Sequence, residues 1–592
     1  MTECIIKKSD NPSIISHRLF GCNMELTRTT GFGGIYAQML NNRKFYAHNE
    51  ADVCGWEYDD NALFSTETEL SNCSSNYFVI PEGAYVKTAE DNTVYLDCGR
   101  EYELAVNVSG KGALKLCLGN VYEYELEVDT DKAIRISTAV TLQQPAQDIS
   151  LCIKATNGKV NLFSASLLPA DHFHNMRRDV VECLKEIAPA QLRFPGGCFS
   201  DHYDWKNALK DTDERTPVDG KEMPFLLRNT YNQDTMELSV DDFMALCAYV
   251  GAAPELTVRM ITPMQEALDL VEYCNGSANT KWGKIRQDRG YDAYNVKEWY
   301  IGNEIYTFGK ELAKDPVLAA QRTKEYVDEM KKISPDIVTI ATCITELPHW
   351  NDPYFEGTNG FIDRYSFHYY LTCEFRKDWG HLDDAKVLGT VDNYMLPELT
   401  KTYNLIKSAK GEVKPAISYD EWNYAWGVSG NCHMMISNAL VFNFLCREAD
   451  KYNIEKSLFF HPVNEGMVKV TKQTACIDTS GELMKQYMSF RGAERLALER
   501  TADSDYPVDL AAATKDGKVL VSAINKNVKA EQTLTIKGAL AAGKTVTVKQ
   551  IIPDEFSQQC NTVTWQNKTF VAADDTLELP LAPAAVAFIT VE

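Results

Sequence analysis

From about residue 164 to 480 the chain alternates short runs of β-branched and aromatic residues with longer amphipathic stretches, the pattern of repeated β-α units around a parallel sheet. The runs that read as strands are 190–194, 255–259, 296–301, 337–342, 364–369, 416–419 and 457–461. Seven strands leave a barrel open. The eighth is placed far upstream, in ISHRLFGCNMEL ending at Leu26, and the following GGIYAQMLNNRKF reads as a helix. Between residues 76 and 168 the pattern changes to alternating strands such as TVYLDCG, YELAVNV, ALKLCLG and KVNLFSASL, separated by Gly, Asn and Asp turns, which predicts an antiparallel β-sandwich. The same character returns after Ser489 in KVLVSAIN, QTLTIKG, KTVTVKQII and AAVAFITVE. The predicted fold is therefore α/β, a (β/α)8 TIM barrel with an inserted N-terminal β-sandwich and a C-terminal β-sandwich of jelly-roll type. The first β/α unit is assigned to 13–48, the insert to 49–168, the rest of the barrel to 169–485 and the last sandwich to 486–592.

Composition narrows what such a scaffold does. Apolar residues make up 45% and charged residues 24%, an ordinary globular balance. A formal charge of −23 repels phosphate, which argues against a nucleic-acid or anionic-membrane partner and leaves a neutral sugar polymer acceptable. Seventeen cysteines are scattered from Cys4 to Cys560 with no CxxC pair, a pattern of free buried thiols in a reducing compartment rather than of disulfides or a zinc site. The N-terminus lacks a signal-peptide apolar run, and no stretch approaches the roughly 20 apolar residues of a membrane span. Cytoplasmic localisation is expected. HExxH, EF-hand and zinc-ribbon spacings are missing, and GFGG at 31–34 lacks the lysine and preceding strand of a phosphate loop, so neither a metal nor a cofactor is expected. Nothing marks an interface patch, and an oligomer stays open.

Two carboxylates stand at the ends of predicted strands: Glu304 closes EWYIGNE and Glu421 closes AISYDEW. In a (β/α)8 barrel the C-terminal strand ends form the active-site face, so both point into one cleft, as the fourth and seventh strands. Glycoside hydrolysis needs such a pair, one carboxyl to protonate the departing oxygen and one to attack or stabilise the anomeric carbon. Taken alone, an Asn-Glu after a strand caps a helix as readily as it catalyses. The pair at matching strand ends carries the argument.

Longer motifs extend it. FGCNMELTRTTGFGGIYAQMLNNRKF, SLLPADHF, LRFPGGCFSDHYDWK, VKEWYIGNEIY, YSFHYY, ISYDEWNYAW and the KQT of VTKQTAC, in that order, resemble glycoside hydrolase family 51, the α-L-arabinofuranosidases. The resemblance implies a retaining enzyme in which Glu304 is the general acid/base and Glu421 the nucleophile. It places Asn303 on the sugar 2-hydroxyl, Glu25 on furanose hydroxyls, and Gly197 and Cys198 along the same pocket. Cys198 reads equally as a small buried apolar residue. His368 and Tyr370 end the sixth strand, where Tyr370 or its neighbour Tyr369 donates to the nucleophile. Gln473 matches a late pocket glutamine, against simple exposure on a loop. Trp205, Trp422 and Trp426 are candidates for stacking on sugar, and Arg193 reads as a structural donor beneath the cleft.

The first functional reading is an exo-acting α-L-arabinofuranosidase on oligosaccharides derived from arabinan or arabinoxylan. An endo-β-1,4-glucanase or xylanase using the same glutamates is the second, and a non-catalytic carbohydrate-binding protein working through the insert is the third. Retention requires carboxyl groups about 5 to 5.5 Å apart. Like-charge repulsion predicts that Glu304 has the higher pKa of the pair.

Overall fold

The computed structural model describes residues 2–47, 53–66, 76–221, 223–375, 382–411, 414–502, 507–538 and 543–592. Eight parallel strands close a barrel: β1 (Gly21–Asn23), β2 (Gln191–Phe194), β3 (Ala253–Val258), β4 (Glu298–Ile301), β5 (Val338–Ala341), β6 (Arg364–Tyr370), β7 (Ala416–Asn423) and β8 (Ile454–Phe460), with β8 returning to β1. Every residue of β2, β4 and β7 is buried. Such strands read as continuous apolar or aromatic runs because helices cover their outer side and packed side chains fill the inner one.

The helices start and stop where local chemistry requires. Val240–Val250 begins at Ser239, which accepts from the Asp242 backbone while Asp242 caps Ser239 in return, and ends at Gly251 with φ 79°. Cys432–Glu448 is apolar on nearly all sides and buried from Cys432 through Cys446. It earns that burial by lying between the barrel and the C-terminal sheet, with Phe442 stacked on Tyr487 at 4.9 Å and Asn443 donating to Asp509 at 2.8 Å. Residues Glu101–Leu118, Tyr122–Thr141 and Leu151–Pro169 are long antiparallel strands between β1 and β2, with their own apolar core around Leu104, Val106, Leu116, Ile153 and Leu162.

The structure corrects the expectation for GGIYAQMLNNRKF, which forms no helix. Gly31–Ile35 makes one wide turn in which Phe32 (ψ 133°) and Gly33 (φ 78°) leave helical geometry. Beyond it Gln38, Asn41, Asn42, Arg43 and Lys44 are all buried. A helix would carry part of that run into solvent. Here each side chain is satisfied across the fold: Arg43 pairs with Asp213 at 2.5 Å and Glu237 at 2.7 Å, and Gln38 accepts from the backbone of Leu40 and Leu167. This non-helical segment is what clamps the insert to the barrel.

Thr2–Lys8, to which no element was assigned, is also a strand. It runs antiparallel to Glu494–Ala502 and parallel to Gln532–Lys537, inside the C-terminal sheet, with Cys4 and Ile6 in its core. Its partners lie nearly the full chain away, and nothing in seven local residues signals them.

Arg43→Met should leave Glu237 buried without its paired cation and Asp213 with Arg135 alone, and cost about 3–5 kcal/mol. Urea denaturation measures this, as a lowered midpoint at unchanged slope; an unchanged midpoint contradicts the clamp.

Candidate active site

Five strand ends turn side chains into one cleft of about 600 Å³, whose lining includes Glu25, Cys198, Glu304, His368, Tyr370 and Glu421. The pairing of β6 with β7 runs Phe367 to Tyr419 and then His368 to Glu421, so Asp420 is an extra residue. Strict alternation would send Asp420 and Glu421 to opposite faces; the bulge turns both toward the barrel axis. After β4, Gly302 (φ 74°) and Glu304 (φ 41°) adopt left-handed backbone. For a glutamate that conformation costs on the order of 1 kcal/mol or more, and it presents Asn303 and Glu304 to the same space. After β2, a Cβ on Gly197 would lie 2.5 Å from Glu421 Oε1, and one on Gly196 (φ 99°) 2.3 Å from Glu25 Cβ. Glycine is required there because backbone passes against two buried carboxylates.

Glu421 accepts from Tyr370 Oη at 3.1 Å, Asn23 Nδ2 at 3.2 Å and Arg193 Nη1 at 3.3 Å. Arg193 also donates to Asn303 Oδ1 at 2.7 Å. His368 Nδ1 faces Glu304 Oε1 at 2.8 Å and Glu421 Oε2 at 3.5 Å, while Nε2 faces Asp420 Oδ1 at 3.1 Å. Carboxylate oxygens of Glu304 and Glu421 and a ring nitrogen of His368 all lie within 4.8 Å of one another. Those three groups could hold a metal by distance alone. With both imidazole nitrogens directed at carboxylates, however, the ring is a donor on both sides and keeps no lone pair for an ion. Glu25 Oε1 accepts from the Phe199 backbone at 2.6 Å, and Cys198 Sγ is 3.9 Å from Glu304.

Tyr370, rather than Tyr369, is the tyrosine on Glu421. Trp426 lines the cleft beneath the Arg28 guanidinium. Trp205 and Trp422 are instead packing residues: Trp205 lies against Trp282, and Trp422 is buried between Phe442 and Phe459. Gln473 is not brought to the cleft. It is exposed in the loop between Val468–Val470 and Ala475–Ile477, against a different cavity. The hairpin carries it outward, because Thr471 and Thr474 close a tight turn that faces solvent. Asn23, Ser366 and Asp420 went unnoticed in the sequence. Asp420 had a signal, its position beside Glu421, but only the bulge gives it meaning.

Residues 183–386 match the family model described as the α-L-arabinofuranosidase 1 domain. The chain is 26% identical over 276 residues to probable α-L-arabinofuranosidase C of Aspergillus terreus, covering 43% of this chain and 52% of that protein. It is 25% identical over 410 residues to α-L-arabinofuranosidase 1 of Arabidopsis thaliana, covering 61% and 57%. The chain thus spans about half the length of the curated relatives it matches. The chain resembles the family 51 arabinofuranosidases. In fold it superposes on the arabinose-bound α-L-arabinofuranosidase MgGH51 with a TM-score of 0.77 at 16% identity, covering 100% of this chain and 99% of that one. The Thermotoga maritima α-L-arabinofuranosidase aligns with a TM-score of 0.62 at 24% identity, over 71% and 90%. Barrel and β-sandwich are shared with these family 51 structures.

The electrostatics of this family 51-like site centre on His368. Burial opposes its charge, yet Glu421, Asp420 and Glu304 outweigh burial and hold its pKa well above the ordinary value. Burial pushes Glu304 up, but the hydrogen bond and charge of His368, with a further bond from Tyr306, bring it below the usual carboxylate range. Glu421 is raised, by burial and by the charges of Glu304 and Asp420, against His368 and Arg193. The order within the pair is the reverse of the expectation, because His368 sits closer to Glu304 than to Glu421 and the sequence offered no cation between them. Glu25 is pushed up to about 7 by burial and by Glu421, against Arg28. Burial and Glu304 keep Cys198 a neutral thiol.

A histidine whose folded pKa is raised contributes stability that is complete below about 6.5 and is lost as pH climbs through the folded value. Nitrogen-15 NMR of labelled imidazoles should therefore show no titration of His368 between pH 6 and 8 in the free protein. A step centred near 6.5 contradicts the charged assignment.

Proposed function

We propose that this chain is a retaining glycoside hydrolase that releases terminal α-L-arabinofuranosyl residues from oligosaccharides of the arabinan and arabinoxylan type. The carrying observation is the approach of Glu304 and Glu421 carboxylate oxygens to within 4.8 Å. Direct attack by one carboxylate needs a separation of about 5 to 5.5 Å, whereas an inverting pair stands about 6.5 to 9.5 Å apart to admit water. Glu421, held by Tyr370, Asn23 and Arg193, attacks the anomeric carbon and forms a glycosyl ester. Glu304 protonates the departing oxygen and then deprotonates the water that cleaves the ester.

His368 resolves how a carboxyl held low in the free protein acts as an acid. His368 Nδ1 donates to Glu304 at 2.8 Å, so the ring holds the proton beside the carboxylate, and Asp420 and Ser366 fix the far side of the ring. The pair delivers the proton together. Asn303, anchored by Arg193, is positioned for the sugar 2-hydroxyl. Glu25, fixed by the Phe199 backbone, meets the furanose hydroxyls beside Cys198. The aglycone leaves toward the loops after β4, β5 and β6, where Tyr306, Phe308, Leu347 and Tyr369 line the open end. No described helix is long and apolar enough to cross a membrane. The buried thiols Cys22, Cys247, Cys274 and Cys446 fit a reducing interior, and a cytoplasmic enzyme acting on small oligosaccharides is the consistent reading.

Turnover of an aryl α-L-arabinofuranoside, but not of aryl β-glucoside or β-xyloside, tests the sugar; the opposite preference would favour the glucanase or xylanase reading. Replacing each glutamate tests the roles. Glu304→Ala should lose about 10² to 10⁴ in rate on substrates whose leaving group needs a proton, the usual worth of a general acid. Added azide should rescue turnover of an activated aryl substrate by that variant and give the α-azide, by one inversion from the β-linked ester on Glu421. Glu421→Ala should give the β-azide, by one direct inversion of the α-substrate. The opposite azide from each variant would exchange the assignments.

A further inference from the structure

We propose that the cavity between the inserted sandwich and the barrel mouth is a second glycan-binding site, taking a neutral sugar chain outside the catalytic cleft. The cavity holds about 210 Å³, far more than a water needs, and is walled by three segments remote in sequence: 91–102 of the insert, 32–39 after β1, and 470–473 after β8. Tyr95 lies between Val94 and Leu96, both buried in the sandwich core, so alternation along the strand turns its ring outward into the cavity. Phe32, half-buried, supplies a second ring from the barrel side. Between them stand Gln473, whose side-chain amide has no hydrogen bond among the described residues, and Asp97, one of whose oxygens only caps the Cys98 backbone. Aromatic faces flanked by planar amide and carboxylate groups suit a sugar, which presents C–H faces to rings and hydroxyls to polar edges. The charged lining sets Asp91 and Asp97 against Arg100, Arg177 and Lys472, and Arg100 and Arg177 are already paired with Asp171 and Asp179, so neither sign dominates and a neutral ligand fits.

The walls are preformed. Arg177 Nη1 donates to the Thr471 carbonyl at 2.6 Å, and Lys472 Nζ reaches Thr93 Oγ1 at 3.0 Å, which fastens the hairpin to both barrel and insert. Both barrel-side walls leave the C-terminal ends of strands, the same face as the cleft. One loop serves both places: Arg28 lines the cleft and Phe32 the second cavity. They are four positions apart, so their Cα atoms lie within about 14 Å. A polymer held at the second site thus passes beside the cleft that receives its terminal branch. The inference rests on the glycosidase reading only for the class of ligand.

The test uses Tyr95→Ala and Gln473→Ala, neither of which touches the cleft. Retention on arabinan, arabinoxylan and a β-glucan is measured by affinity electrophoresis in a Glu421→Gln background that leaves the polymer uncut. Turnover of an aryl arabinofuranoside is measured in the otherwise native chain. Retention on at least one neutral polymer should fall roughly five- to tenfold, with aryl kcat/KM unchanged. Unchanged retention, a parallel loss of aryl turnover, no retention of the parent chain, or retention only on polygalacturonate would each overturn the site. Failure of the glycosidase reading would appear separately, as no aryl turnover by the native chain while retention persists.

Discussion

Four carboxylates gather at one cleft, Glu25, Asp420 and Glu421 buried and Glu304 half-buried, and this is the constraint on which the rest of the structure depends. Carboxylates taken out of water together repel one another and lose hydration, so each must find a cation or several donors. His368 stands among three of them, Arg193 bridges Glu421 to Asn303, and Arg28 faces Glu25 while pairing with Glu465 at 2.6 Å. Glu465 shows how strong that compensation is. Burial pushes it up, but Arg28 and His461 bring it down to about 2. The cations hold the cleft in place, and the same arrangement leaves two glutamates with different proton affinities.

The barrel delivers these groups because their strands end on one face. Glu25 and Asn23 come from the end of β1, the Gly196-Gly197 turn and Cys198 follow β2, Asn303 and Glu304 follow β4, and His368 and Tyr370 face Asp420 and Glu421 across β6 and β7. Distortions of the regular scaffold fall at the chemistry: a bulge at Asp420, left-handed backbone at Glu304, and two glycines where a side chain would strike a carboxylate. Regular packing elsewhere makes those departures tolerable.

This division explains what was legible in the sequence. Strand positions were readable because buried strands leave apolar and aromatic runs, and Glu304 and Glu421 because carboxylates at strand ends stand out against such runs. Tyr370 was ambiguous until the register across β6 and β7 was known. Asp420 was hidden because period-two alternation gives adjacent residues opposite faces, and a bulge has no local signature in YDEW. Residues 33–45 misled because Ala, Gln, Met, Leu and Asn in that order imitate a helix, while partners at Asp213, Glu237 and Leu167 decide otherwise. Gln473 illustrates the limit of a short motif, since a hairpin fixes where a side chain points and three residues do not.

The central claim is that Glu421 attacks the sugar while Glu304 and His368 supply the proton. Proton NMR of the first sugar released from an aryl α-L-arabinofuranoside, recorded before mutarotation, tests it most directly. Two displacements at one carbon predict α-L-arabinofuranose as the initial product, relaxing later to the anomeric mixture. Initial release of the β-anomer would mean that water, and not Glu421, attacks the anomeric carbon, and would contradict the account.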